Sequence, residues 1–345
     1  MTITSKCTLL SAAAVALSLL PGIALANNGG WIQNETEYRH FRYDYDNAPN
    51  PYSRDEVEVN KKLLQGMLQL TENVDLWLDL RRIDYFTDFD DGRGMVKNGY
   101  HWDHEAHLRY HFRGLNFWGR EWTFRPAFAW EGDWNFKNTN NDFNWSSNDY
   151  YLQFDFLTSF PNGITPWDNG SHTLNFRPLL TEYIVLGGAS KFHEDGNTGN
   201  VRGHRQQVMN FFLVSRWNDR LSSIVSFRNY LDTMAKDGIK YHYGSENEMW
   251  YDIIQHDNFK LTWHNKLEFY LGMDDSSEVL RDKFVEFYTR IEASYRKTFD
   301  NGITVTGLVG QDMWDYHYND SPWVGGEYSR METIGKLTIN VPLGY

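Results

Sequence analysis

The chain has 345 residues, of which 33 are Lys or Arg and 46 are Asp or Glu, for a formal charge of −13. Such a balance argues against nucleic acid or anionic lipid as a partner. The one cysteine, Cys7, falls in a segment expected to be cleaved, which excludes disulfide or thiolate chemistry from the mature chain.

Residues 1–26 read as an export signal. Lys6 leads an apolar run from Leu9 to Leu20, and Ala24-Leu25-Ala26 supplies the small-x-small cleavage motif. Residues 27–345 then form a single domain without internal repeat, low-complexity run or linker. No segment after the signal approaches the ~18 consecutive apolar residues of a membrane helix, so a membrane-spanning reading requires a β-barrel. Aromatic residues make up 17% of the chain, with 14 Trp and 21 Tyr, as expected of interfacial girdles. A secreted lectin with Trp- and Tyr-rich sugar sites is the alternative that this composition leaves open.

Alternation and turn signals predict fourteen strands, within a range of twelve to sixteen, at roughly 31–45, 54–70, 74–88, 98–113, 120–136, 147–158, 170–186, 203–217, 220–233, 244–256, 258–274, 280–297, 302–317 and 326–345. Their connections alternate in length. Thr71-Glu72-Asn73, Asn218-Asp219, His256-Asp257 and Asp300-Asn301-Gly302 are short. The segments 46–53, 88–98, 137–148, 187–202, 234–245, 274–279 and 319–326 are long and polar. Phe160 to Ser171 is long for the short-turn side. This is the pattern of an all-β, transmembrane antiparallel barrel in the outer membrane of a Gram-negative cell, with both termini at the short-turn side.

Strand four fixes its own faces. Ala106, Leu108, Tyr110 and Phe112 alternate with His107, Arg109, His111 and Arg113, and a cation facing lipid at midplane costs ~2–4 kcal/mol, so the basic column faces inward. In strand five Trp122, Phe124, Pro126, Phe128 and Trp130 face outward, and Arg125 joins the inner column. Strands eleven and twelve put Lys266, Glu286 and Arg290 inward. Arg81, Arg177 and Arg228, with Asp79, Asp155 and Asp312, add further charge of both signs. A lumen so charged is expected to hold water and act as a pore. The closing strand, Gly335 to Tyr345, alternates Leu337, Ile339, Val341, Leu343 and Tyr345 with Lys336, Thr338, Asn340, Pro342 and Gly344. Among inward aromatics, Trp77, Tyr270 and Tyr288 are candidates to stack on a sugar, and the loops 187–202, with Lys191, His193 and Glu194, and 234–245 are candidates for a constriction.

The stretch T-R-I-E-A-S-Y-R-K-T-F-D-N-G-I-T-V from Thr289 to Val305, followed by W-D-Y-H-Y-N-D and the closing strand, resembles the last three strands of the monomeric, fourteen-stranded porin G family. D-H-E-A-H-L-R-Y-H-F at Asp103 to Phe112 and R-Q-Q-V-M-N-F-F at Arg205 to Phe212 are weaker likenesses. Tyr38-Arg39-His40 is similar to the oligogalacturonate-specific porins, which are smaller barrels for acidic sugars. The porin G resemblance implies a monomer that passes mono-, di- and trisaccharides and is closed at low pH through a pair of histidines on adjacent late strands. His317 matches one of the pair. The other position falls near Val285 and Glu286, so a protonated His317 would be attracted to Glu286 and the pH response inverted.

The expected function is therefore passive diffusion of small hydrophilic solutes, mono- and oligosaccharides foremost, through a water-filled lumen lined by mixed charges, with outer-membrane lipid and lipopolysaccharide as surroundings and no cofactor, metal or catalysis. A channel for anionic, uronate-type oligosaccharides is the sharper alternative, because a row of cations lowers the barrier for anions; acidic loops at the mouth work against it. A barrel-type hydrolase is a further alternative. Ser171 and His172, adjacent on a strand, would point to opposite faces, while His101, Asp103, His104 and Glu105 form an Asp/His grouping near the mouth.

Overall fold

The computed structural model describes residues 29–44, 53–89, 98–136, 143–161, 172–192, 198–199, 204–232, 240–274, 277–319 and 327–343. The predicted export signal and Cys7 lie outside these residues, as do Gly344 and Tyr345. Fourteen strands form one antiparallel wall: β1 (Gly30–Asp44), β2 (Ser53–Gln69), β3 (Val74–Phe89), β4 (Asn98–Tyr110, continuing past His111 as Phe112–Phe117), β5 (Arg120–Phe136), β6 (Phe143–Pro161), β7 (His172–Phe192), β8 (His204–Arg216), β9 (Leu221–Asp232), β10 (Lys240–His256), β11 (Phe259–Asp274), β12 (Ser277–Thr298), β13 (Thr304–Asn319) and β14 (Glu327–Leu343). Each pairs with its neighbours in sequence, and β1 pairs with β14 from Gly30↔Leu343 to Asp44↔Ser329. The sheet is thereby closed, which leaves no lateral edge to cap.

Two connections depart from expectation. Strands β11 and β12 run to Asp274 and from Ser277, so the predicted long loop 274–279 leaves only 275–276 between strands. In the segment 187–202, Ser190 and Lys191 pair with Gly199 and Thr198. Part of that candidate constriction is a continuing ladder, because β6 reaches as far and pairs with it from Tyr150↔Gly187 to Trp145↔Phe192 despite strand-poor residues such as Gly187 and Gly188; His193 and Glu194 lie outside the described residues. At the opposite end the turns are tight. Trp118 (φ 53°) and Gly119 (φ 70°) both take left-handed backbone, the geometry of a two-residue hairpin whose twist matches its strands.

The alternation sorts the two faces. Outward residues include Leu108, Phe128, Phe211, Phe227, Trp263, Leu267, Phe287, Ile291 and Leu337, all large, apolar and exposed. Inward residues include Glu35, Glu37, Asp75, Asp79, Asp155, Glu286, Asp312 and Glu332, all polar and buried by their neighbours. The molecule is thus inverted relative to a water-soluble globule, whose large apolar side chains are gathered inside. Met209 (φ 55°) sits in a bulge of β8, between the registers of Gln207 and Phe211. Asn210 fills the irregularity from inside, accepting the Asn229 backbone N–H at 3.0 Å.

Candidate functional site

The inner wall is a set of ion pairs joining neighbouring strands. On the β3–β4 side, Arg109 Nε donates to Asp75 at 2.6 Å, and His111 Nε2 contacts the same carboxylate at 2.5 Å. His107 contacts Glu105, and Tyr151 of β6 donates to Glu105 at 3.3 Å. Ala127 and Ala129 lie buried beside this group; their small side chains leave room for the longer neighbours. Arg81 pairs with Asp79 at 2.9 Å and Asp103 at 3.4 Å. Farther round, Asp155 holds both Arg125 at 2.5 Å and Arg177 at 2.9 Å, while Arg177 and Arg228 flank the Phe212 ring.

The predicted basic column therefore exists through His107, Arg109, His111 and Arg125, but as paired groups rather than a bare cationic wall. Arg113 leaves the column: the strand is interrupted at His111, the β4–β5 register shifts between Phe112 and Leu115, and Arg113 is exposed in that irregular segment. Arg81, Arg177, Arg228, Lys266 and Arg290 all face inward. Arg228 pairs with Glu246 at 2.8 Å, and Lys266 bridges Glu246 at 3.0 Å and Glu268 at 2.7 Å. Arg290 meets Asp312 through two contacts of 2.5 Å, a bidentate geometry that a lysine could not make.

Glu286 lies beside Glu268 in the ladder, in the row that also holds Glu246. His317 is in register with Val285, whereas Glu286 is in register with Tyr316. Backbone alternation consequently sets His317 and Glu286 in opposite register sets, and the expected attraction between them does not follow from this ladder. Tyr288 is no sugar platform either. Its ring is buried between Trp314 at 4.4 Å and His264 at 5.0 Å. Trp77 packs edge-on against His107 at 5.1 Å, and the side chain of Tyr270 is outside the described set. The grouping at 101–105 is split by alternation: His101 reaches inward to Asp133 at 2.5 Å, while His104 packs between outward Trp130 and Trp134.

Sequence reading passed over the seam. Glu35, Glu37 and Arg39 occupy alternate positions of β1 and meet β14 through Lys336 and Glu332, with Arg39 to Glu332 at 3.4 Å and Glu37 to Lys336 at 3.7 Å. Their spacing, acid-x-acid-x-base, was the available signal. Also unread was a charged group on the outward face, Lys61, Arg82 and Asp84, where Asp84 accepts from Lys61 at 2.8 Å and from Arg82 at 2.7 Å.

No family model matches the sequence, and no curated protein matches it. Solved structures that resemble the chain include the toluene transporter TodX of Pseudomonas putida (8% identity, 95% of this chain and 93% of that one covered, TM-score 0.36). Others are an outer membrane channel from Pseudomonas putida F1 (12%, 90% and 95%, 0.40) and OccK7 of Pseudomonas aeruginosa (9%, 91% and 99%, 0.39). Likeness this distant assigns no solute.

Proposed function

We propose that the chain is an outer-membrane channel through which small hydrophilic solutes, mono- and oligosaccharides among them, diffuse passively. The inner wall carries this reading. Its guanidinium groups are paired and yet open to water, with side-chain exposures of 28% for Arg125, 27% for Arg177 and 36% for Arg228. A dry, plugged interior would strip water from such groups at a cost of several kcal/mol per ion; a hydrated lumen avoids that cost. The apolar outer face suits hydrocarbon, and short turns at one end with longer connections at the other suit insertion from the periplasmic side.

Charge balance favours cations. Among the described inner-face residues carboxylates outnumber ammonium and guanidinium groups, most clearly where Lys266 stands among Glu246, Glu248, Glu268 and Glu286. Carboxylates lining a pore raise the barrier for anions, which weighs against uronate selectivity despite the β4 column. The test is planar-bilayer conductance of the refolded protein under a salt gradient, combined with swelling of protein-loaded liposomes in sugar solutions. Stable conductance, a cation-directed reversal potential and faster swelling with smaller sugars are expected. Absence of conductance from correctly folded barrels overturns the channel reading.

A further inference from the structure

The outward face of β2 to β5 carries a group that a plain lipid-facing wall does not need. Asp84 is shared by two cations, Lys61 and Arg82, which leaves one positive charge in excess. The Arg82 guanidinium lies 4.4 Å from the centre of the Tyr100 ring and 5.5 Å from that of Trp102. Next to it on the same face is a recess of about 440 Å³ lined by Leu80, Trp102, His104, Ala106, Trp130 and Trp134. His104 is 6% exposed and its Nε2 has no hydrogen-bond partner among the described residues.

The floor of this recess is built for that imidazole. A β-carbon on Gly132 would come within 2.2 Å of His104 Nε2, so only glycine lets the ring lie between Trp130 and Trp134, 4.4 and 4.8 Å from their centres. Height also matters. Trp122, beside the tight Trp118-Gly119 turn, and Trp134 are separated by twelve residues of β5; at ~3.3 Å per residue and a tilt of ~40° that spans roughly 30 Å. Trp134 and Arg82 lie in one ladder row with Trp102. Rows of tilted strands are not level, and along its own strand Arg82 stands eight residues, roughly 20 Å, above Val74 at the short-turn end. The cations therefore fall in the upper part of an apolar band ~25 Å tall, where long side chains reach the long-loop interface, with the apolar recess beneath them.

We infer that this face holds one phosphorylated glycolipid of the outer leaflet, its phosphate on Lys61 and Arg82 and an acyl chain in the recess beneath. The inference rests on the outer-membrane reading above. Charge complementarity selects the occupant: a net positive pair on an otherwise acidic chain attracts phosphate, and the adjoining apolar cavity selects an anion that carries a chain. The sugar body of the glycolipid would meet Tyr100 and Trp102, rings that combine an apolar face with a polar edge.

The test incubates the folded barrel in detergent with purified lipid A or with phosphatidylglycerol, and reads retained lipid by native mass spectrometry after detergent exchange. One lipid A per barrel is expected. The double variant Lys61→Ala/Arg82→Ala should lower retention about tenfold or more, and Ala106→Trp, which fills the recess, should lower it comparably. Heat-modifiable mobility and unit conductance check that each variant is folded. Equal retention by the variants, equal retention of phosphatidylglycerol, or no retention by a conducting wild-type barrel would each overturn the site. A barrel that retains lipid A but does not conduct would instead sink the channel reading and leave the site standing.

Discussion

Two sets of charges share the same few strands and live under different rules. On the inner face of β3 to β7, Asp75, Asp79 and Asp155 are each buried against one or two cations, and the cations reach water along the lumen. On the outer face, Lys61, Arg82 and Asp84 form a compact group backed by Tyr100 and Trp102. Alternation alone does not separate the two cases, since both obey it. Access to water does: an outward cation costs ~2–4 kcal/mol at the bilayer midplane but ~0–1 near the interface, so the outward group is tolerated only at its height.

The comparison is sharpest where a buried acid is removed. Asp312, 0% exposed, accepts two contacts from Arg290, and Asp312→Ala should cost about 3 kcal/mol by leaving that guanidinium only its longer 3.6 Å contact with Glu292. Urea unfolding of vesicle-embedded barrels measures it, and a loss below the error of the titration would show that lumen water replaces the partner. Asp155→Ala frees two cations that are more accessible, so about 2 kcal/mol is expected, together with a reversal potential moved toward anions. An unchanged reversal potential would remove Arg125 and Arg177 from the conduction path.

On the outer face the expected penalty is steric. Gly132→Ala should cost roughly 1–3 kcal/mol by displacing the His104 ring, and His104→Ala should relieve most of it in a double-mutant cycle. Additive effects would mean that the ring and the glycine are independent. Lys266→Gln should cost about 1–2 kcal/mol and deepen cation preference, because Glu246 and Glu268 lose their shared counter-ion; a shift toward anions contradicts the proposed balance. At the bottom of the scale, Arg216→Ala at the exposed Arg216 to Asp219 pair should change stability by less than about 0.5 kcal/mol.

Much of this was legible in the sequence because a barrel strand is a local object. The period of two that put Leu108 and Phe128 outward and Arg109 and Arg125 inward needs only neighbours in the chain. What could not be read was pairing across strands. That Asp75 serves both Arg109 and His111 depends on the β3–β4 register, and that Asp155 serves both Arg125 and Arg177 depends on the β5–β6 register and on the bulges of the β6–β7 ladder between Leu152 and Phe154 and between Phe156 and Thr158. The break at His111 that carries Arg113 out of the column has the same character: it is decided by pairing with β5, not by the run of residues itself. His317 and Glu286 fall in opposite register sets by plain alternation, because the regular β12–β13 ladder pairs His317 with Val285.

The ladder between β1 and β14 has a kinetic meaning. Thr338 donates to Glu35 across 303 residues of chain, so the last contact to form is also the least local. By loop-closure entropy, bringing such distant partners together costs roughly 2–3 kcal/mol more than closing a hairpin of ~15 residues, and topologies dominated by distant pairing fold slowly. Closure should therefore be the late step of assembly, with twelve hairpin contacts and the β7–β8 pairing able to form ahead of it. Until the two strands meet, each presents an open edge, and the alternating Glu37, Lys336, Arg39 and Glu332 act as a latch that rewards only one register.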